Sequence, residues 1–189
     1  LFQWYAMMCY WQNNSKSIAL SVWNVTPKDV MGYEKAVARN GLIGAFGFIV
    51  TFSIAFYLAK LAKKHGAKMI HFACLLFGAI SFLWFPTIQN QYVFFAVIIG
   101  YGIAWASMMG IPYLMVVAVI PKERYGVYMG IINMMIVIPM IIQNLSFGYI
   151  LKNFLDNDPR QAISFAGVLL MLAAICTLLI KIKNTKVSE

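Results

Sequence analysis

Carboxylates are nearly missing from this sequence. Six Asp and Glu occur in 189 residues: Asp29, Glu34, Asp156 and Asp158 in two polar stretches, Glu123 in a basic turn, and Glu189 at the end. None falls in an apolar run, so the chain offers neither a paired-carboxylate catalyst nor a membrane-embedded acid for proton relay. Charged residues make up 11% of the chain, far below the quarter or so of an ordinary soluble domain. The cysteines are only Cys9, Cys74 and Cys176, all within apolar runs and without CxxC or Cys/His ligand spacing. A disulfide framework and a zinc site are both excluded, and the thiols are expected to be packing residues. His65 and His71 have no partner at metal spacing and read as topological or structural. P-loop, HExxH and GxSxG motifs are absent, so an enzyme is not expected, nor a cofactor or metal.

What is present is hydrophobic: 62% of the residues. A soluble fold of this size could not hide that much apolar surface. At about 20 residues per membrane helix, the apolar runs resolve into six spans. They are residues 1–23, 39–61, 69–85, 92–120, 125–151 and 162–180, with a tail at 181–189. The expected fold is an all-α six-span membrane protein, one domain over 1–189, with the lipid bilayer as its surroundings. The chain opens at Leu1 without a basic stretch, so a signal peptide is not expected there.

The net charge of +9 does not point to nucleic acid, because the cations form no long stripe with interleaved aromatics. They cluster between spans. The second-to-third loop, the fourth-to-fifth loop and the tail hold Lys60, Lys63, Lys64, Lys68, Lys122, Arg124, Lys181, Lys183 and Lys186 against two acids, a net of +7. The opposite loops hold Lys28, Lys35, Arg39, Lys152 and Arg160 against four acids, a net of +1. The positive-inside rule then makes both termini and the 181–189 tail cytoplasmic.

Polar side chains within spans mark the helices that line something. The third and sixth spans hold little beyond Ser81, Ser164 and Thr177, and are expected to face lipid. The first, fourth and fifth carry the polar and aromatic load. Gln12 and Lys16 share a face of the first, beside Asn13. Tyr101, Trp105, Met108 and Pro112 follow helical spacing on the fourth. Asn133, Val137, Met140 and Asn144 do so on the fifth, with Gln143 alongside. Amides bond hydroxyls and a ring face covers the C–H surface of a sugar, so Gln12, Asn13, Lys16, Tyr101, Trp105, Asn133, Gln143 and Asn144 are the candidate substrate-binding residues. The alternative for the amides is a bond to a neighbouring helix, for the rings plain packing, and for Lys16 snorkelling to the outer surface. Pro112 and Pro139 should kink their helices, either as gates or as kinked packing alone. Gly41, Gly44 and Gly47, with Gly126 and Gly130 in GxxxG spacing, should permit close helix approach. Ile99-Gly100-Tyr101-Gly102 lies inside one long apolar run rather than a re-entrant loop, which excludes a potassium filter.

Six spans with both ends inside resemble one half of a major facilitator superfamily transporter. Gly102-Ile-Ala-Trp105-Ala-Ser-Met-Met-Gly110-Ile-Pro112-Tyr113, then Ile120-Pro121-Lys-Glu-Arg-Tyr-Gly126-Val-Tyr-Met-Gly130-Ile-Ile-Asn133 and Ile136-Val-Ile-Pro139, is similar to the tenth and eleventh helices of the sucrose/proton symporter branch. The opening Gln3-Trp4-Tyr5-Ala6 and Tyr10-Trp11-Gln12 resembles the seventh helix of its bacterial members. The chain departs from the branch at Met140, where Gln is usual, and at Lys63, where an Asp is common in the basic loop. The resemblance implies helices seven to twelve of a glycoside/cation symporter in the cell membrane. It would move a disaccharide such as sucrose or maltose, coupled to a proton or another cation, with an N-terminal six-helix half as its partner. The rival expectations are a facilitator for drugs or organic ions, and a six-span scaffold or partner subunit that transports nothing.

Overall fold

The computed structural model describes residues 1–117 and 120–180, Lys122 by its backbone alone. The 181–189 tail and the junction at 118–119, within the expected end of the fourth span, lie outside the described residues. All regular structure among them is helical. Helix α1 (Phe2–Ile18) runs on into a π-helical turn, Ala19–Trp23; α2 is Val30–His65; α3 is Ala67–Trp84 with a 3₁₀ turn, Phe85–Thr87. Then come α4 (Phe94–Val117), a 3₁₀ turn at Lys122–Arg124, α5 (Tyr125–Phe154) and α6 (Pro159–Leu179). Helices α2 to α6 are each long and apolar enough to cross a membrane, and α1 with its π turn makes a sixth rod of similar length.

The helices start where capping chemistry starts them, beyond the apolar runs. The Asp29 carboxylate accepts from the Gly32 amide at 3.1 Å, so α2 begins nine residues before the expected 39. Its 36 residues span about 54 Å at 1.5 Å each, well past a hydrocarbon core of about 30 Å. Glu34 therefore lies on a helix after all, at its exposed polar end. At α6, Asp158 accepts from the Arg160 amide at 2.8 Å and Pro159 takes the first helical position, where its missing N–H costs nothing. Both prolines expected to bend helices, Pro112 and Pro139, lie inside uninterrupted α4 and α5.

Two expectations about packing are overturned. The third and sixth spans are not the lipid-facing pair within this unit. About half of the most apolar stretch of α3 and of α6 is buried, against a sixth of α2 and almost none of α5. Leu75, Ala79 and Phe82 of α3 interleave with Ala162, Ile163, Ala166 and Leu170 of α6. Helices pack in membranes through small side chains as readily as through polar ones, so poverty in polar groups does not predict exposure. Nor do Gly126 and Gly130 mediate a close approach: nothing lies within 4 Å of a Cβ placed on either. Gly41 and Gly44 are equally open, whereas Gly47 does sit at a tight crossing. A Cβ on Gly100 would stand 2.6 Å from the Phe77 carbonyl oxygen of α3, and one on Gly102 would stand 2.8 Å from the Gly47 carbonyl oxygen of α2. Thr51 seals the second crossing by donating to the carbonyls of Gly47 and Gly102. Of the thiols, Cys9 and Cys74 are buried as expected, whereas Cys176 is exposed on α6.

Candidate functional site

Three of the expected residues meet where α1 crosses α5. The Gln12 amide donates to Asn144 Oδ1 at 2.8 Å and to Gln143 Oε1 at 3.3 Å, and Gln143 donates back to Gln12 Oε1 at 3.0 Å. Gln143 is fully buried and also reaches Cys9 Sγ at 3.7 Å. Gln12 and Asn144 remain exposed. Asn144 spends one N–H on the Met140 carbonyl of its own helix, which leaves the other directed outward from a fixed amide.

Next to the amides stands an aromatic wall. Trp105 stacks parallel to Tyr101, with ring centroids 6.3 Å apart, and takes the edges of Trp4 at 5.8 Å and Trp11 at 5.3 Å. Trp105 is half-buried and Trp11 exposed, so both offer ring surface. Trp11 was missed as a candidate, although its position next to Gln12 and opposite Trp105 was a signal. Tyr101 is 3% exposed, packed against the stacked pair Tyr10 and Phe82 as well as Trp105, and accepts from Trp11 Nε1. It is therefore covered beneath Trp105 rather than open at the surface. Asn13 is covered as well: it is 3% exposed, and its amide donates to the Cys9 carbonyl one turn back.

Lys16 and Asn133 lie apart from this cluster, at opposite ends. Lys16 is exposed in a cavity of about 370 Å³ with Thr26, Pro27, Asp156 and Asp158. Asn133 accepts from the Tyr113 hydroxyl at 3.1 Å, bridging α5 to α4. It sits eleven residues, about 16 Å of helix, from Asn144. Between α1, α4 and α5 lies an apolar cavity of about 290 Å³ lined by Trp4, Met108, Pro112, Tyr113, Ile132 and Ile136. Trp4 belongs to both the cavity and the aromatic wall. A chain of surface thus runs from the amides, over the rings, to the Pro112 turn of α4.

Sequence reasoning also underrated His71. It is 3% exposed, and its two ring nitrogens join three helices: Nδ1 lies 2.7 Å from Ser107 Oγ on α4, and Nε2 lies 3.2 Å from Gln3 Oε1 on α1. At the other end, the Asp158 carboxyl is partly desolvated, which raises its pKa. The hydrogen bonds and charge of Arg160, 2.7 Å away, outweigh that and bring it below its ordinary value.

An unbroken set of apolar helices, with amides and tryptophans directed toward one exposed side, defines a multi-pass membrane protein. Its sequence from residue 2 to residue 143 matches the family model of the Major Facilitator Superfamily, and the chain belongs to that superfamily. It is accordingly a membrane transporter and not an enzyme. No curated protein and no solved structure matches it.

Proposed function

We propose that this chain forms helices seven to twelve of a cell-membrane sugar carrier of the sucrose/proton symporter-like branch, with both ends cytoplasmic. It moves a disaccharide such as sucrose or maltose by cation-coupled alternating access. The observation that carries the substrate class is the placement of the exposed Gln12 and Asn144 amides beside the exposed rings of Trp11 and Trp105. Fixed amides bond sugar hydroxyls; ring faces cover the C–H surface between them. Asn133, across the apolar cavity, makes the far contact, and Lys16 belongs to the outer mouth. Facilitators hold substrate between two halves that rock about it, with bent helices as gates. In this chain Pro112 and Pro139, each removing a backbone hydrogen bond, supply such gates. The opposite wall comes from an N-terminal six-helix half.

Counterflow of labelled sugar in liposomes holding the native protein tests the reading. Sucrose and maltose should compete with each other, and organic cations should not compete with either. Uptake indifferent to sugars would overturn it in favour of a facilitator for drugs or organic ions, the reading that the apolar cavity beside Trp4 favours. A native polypeptide that moves no solute at all would leave the scaffold. The half-carrier assignment has its own test: a native product of about twice this chain's mass supports it.

A further inference from the structure

We propose that His71 is a proton-binding site of this chain, charged and discharged in each transport cycle; the cycle itself rests on the transport reading above. An ionisable side chain buried in a membrane helix is costly, and such groups mark proton and ion pathways. His71 sits within the apolar run of α3, and the apolar spans contain no Asp or Glu that could do the same work.

The geometry suits a proton that comes and goes. Gln3 Oε1 can only accept, which places a hydrogen on Nε2 and leaves the Nδ1 lone pair toward Ser107. In the neutral ring Nδ1 accepts from the Ser107 hydroxyl. On proton uptake an N–H bond forms at Nδ1. The Ser107 oxygen then accepts, and its own hydrogen turns to a carbonyl of the preceding turn of α4. On release that N–H bond breaks, the proton passes to water and the lone pair returns to Nδ1. The same two partners satisfy both forms, so the ring needs no rearrangement to change charge.

Access and surroundings fit as well. His71 lines a cavity of about 330 Å³ with Gln3, Pro112, Met115, Cys176 and Thr177. On its own helix the nearest groups are Lys68, tied to the carbonyls of Leu178 and Ile180, and Cys74. From α6 comes Cys176, from α1 Gln3 beside Leu1, and from α2 the apolar Leu58 and Ile54 beside Cys74. Helix α4 brings Ser107 and no charge. None of these is a carboxylate that would hold the proton permanently. The ring also shares its cavity with Pro112, so a charge at His71 favours whichever arrangement of α4 admits water to it, and the proton biases the gate.

Nitrogen NMR of histidine-labelled native protein in liposomes reads the site directly, with His71→Asn assigning the signal against His65. The His71 ring should pass from one protonated nitrogen to two as pH falls from about 8 to about 4. A pattern unchanged over that range would overturn the proposal, whether or not the protein carries sugar. In transport, His71→Gln should keep sugar counterflow and lose accumulation driven by a proton gradient. Undiminished accumulation with the wild-type pH profile would equally overturn it. Absence of sugar counterflow in the wild type would sink the substrate reading alone, and the NMR titration would still decide His71.

Discussion

Gln12 and Gln143 exchange two hydrogen bonds, at 3.3 and 3.0 Å, across the contact between α1 and α5. Their exposures differ: Gln143 is fully buried, whereas Gln12 is open to the same side as Asn144. One amide ties helices together while its partner is presented outward, and the two functions separate by mutation. Gln143→Ala should destabilise the fold by about 1–2 kcal/mol, because it empties a fully buried position and removes both bonds that Gln143 exchanges with Gln12 across α1 and α5. Asn144→Ala should leave the melting temperature close to wild type and raise the apparent KM for sugar. Thermal unfolding in detergent, beside KM in liposomes, checks both. Equal melting temperatures for the two variants would contradict the division.

The aromatic wall makes a graded prediction. Trp105→Ala removes the ring that both stacks on Tyr101 and offers surface, and should cost about 1–3 kcal/mol of substrate binding, on the scale of base–aromatic stacking. Trp11→Ala should act in the same direction. Tyr101→Phe keeps the buried ring between Tyr10, Phe82 and Trp105 and loses only the long hydrogen bond from Trp11, so KM should hardly move. If Tyr101→Phe proves as damaging as Trp105→Ala, the roles assigned to the two rings are reversed.

How much of this was legible beforehand depends on which physical term decides each feature. Hydropathy located the apolar rods α2 to α6, since that quantity makes a helix enter a bilayer. It placed the start of α2 at Arg39 because Glu34, Lys35 and Arg39 are charged, whereas the helix is set by the Asp29 cap and runs on past the apolar zone. Asp158-Pro159, a capping acid followed by proline, marks the true start of α6, three residues before the apolar run. Polarity within spans found Gln12, Gln143 and Asn144, whose side chains need partners. It could not separate Tyr101 from Trp105, because both are aromatic on one helical face and only the neighbours Tyr10 and Phe82 decide which is covered. His71 was passed over for want of a metal partner. Its partners are Ser107 and Gln3, residues 36 and 68 positions away, which spacing cannot reveal.

The glycines give a prediction with opposite signs. Gly100→Ala would drive a methyl to 2.6 Å from the Phe77 carbonyl oxygen, so α3 and α4 must separate and lose the contact sealed by Ser81 donating to the Val97 carbonyl at 2.6 Å. A loss of about 1–3 kcal/mol is expected, as for other overpacked interiors. Gly126→Ala and Gly130→Ala meet nothing within 4 Å and should be neutral or mildly stabilising through better helix propensity. Melting temperatures of the three variants test this. A Gly126→Ala loss matching that of Gly100→Ala would mean that the 126–130 face is covered by the partner half in the native protein.

The start of α6 carries the acid sensitivity. Desolvation alone would raise the Asp158 pKa. The Arg160 side chain and backbone bonds and its charge prevail, so the folded value lies below the unfolded one of about 4. A depressed carboxylate stabilises above its unfolded pKa, and that contribution is lost as pH falls through the folded value. Melting temperature should therefore be insensitive to Asp158 from neutral pH down to about 4.5 and decline more acidic than that. Asp158→Asn keeps an acceptor for the helix cap, so it should lose little at neutral pH and flatten the acid decline. Arg160→Ala should also shrink the acid decline, because it brings the folded pKa of Asp158 back toward the unfolded one, and the stability it costs should show at neutral pH. Because Arg160 is 42% exposed, the ion pair itself contributes at most about 1 kcal/mol, and most of the effect should follow the cap. An acid profile of Asp158→Asn superimposable on wild type would place the acid-labile group elsewhere.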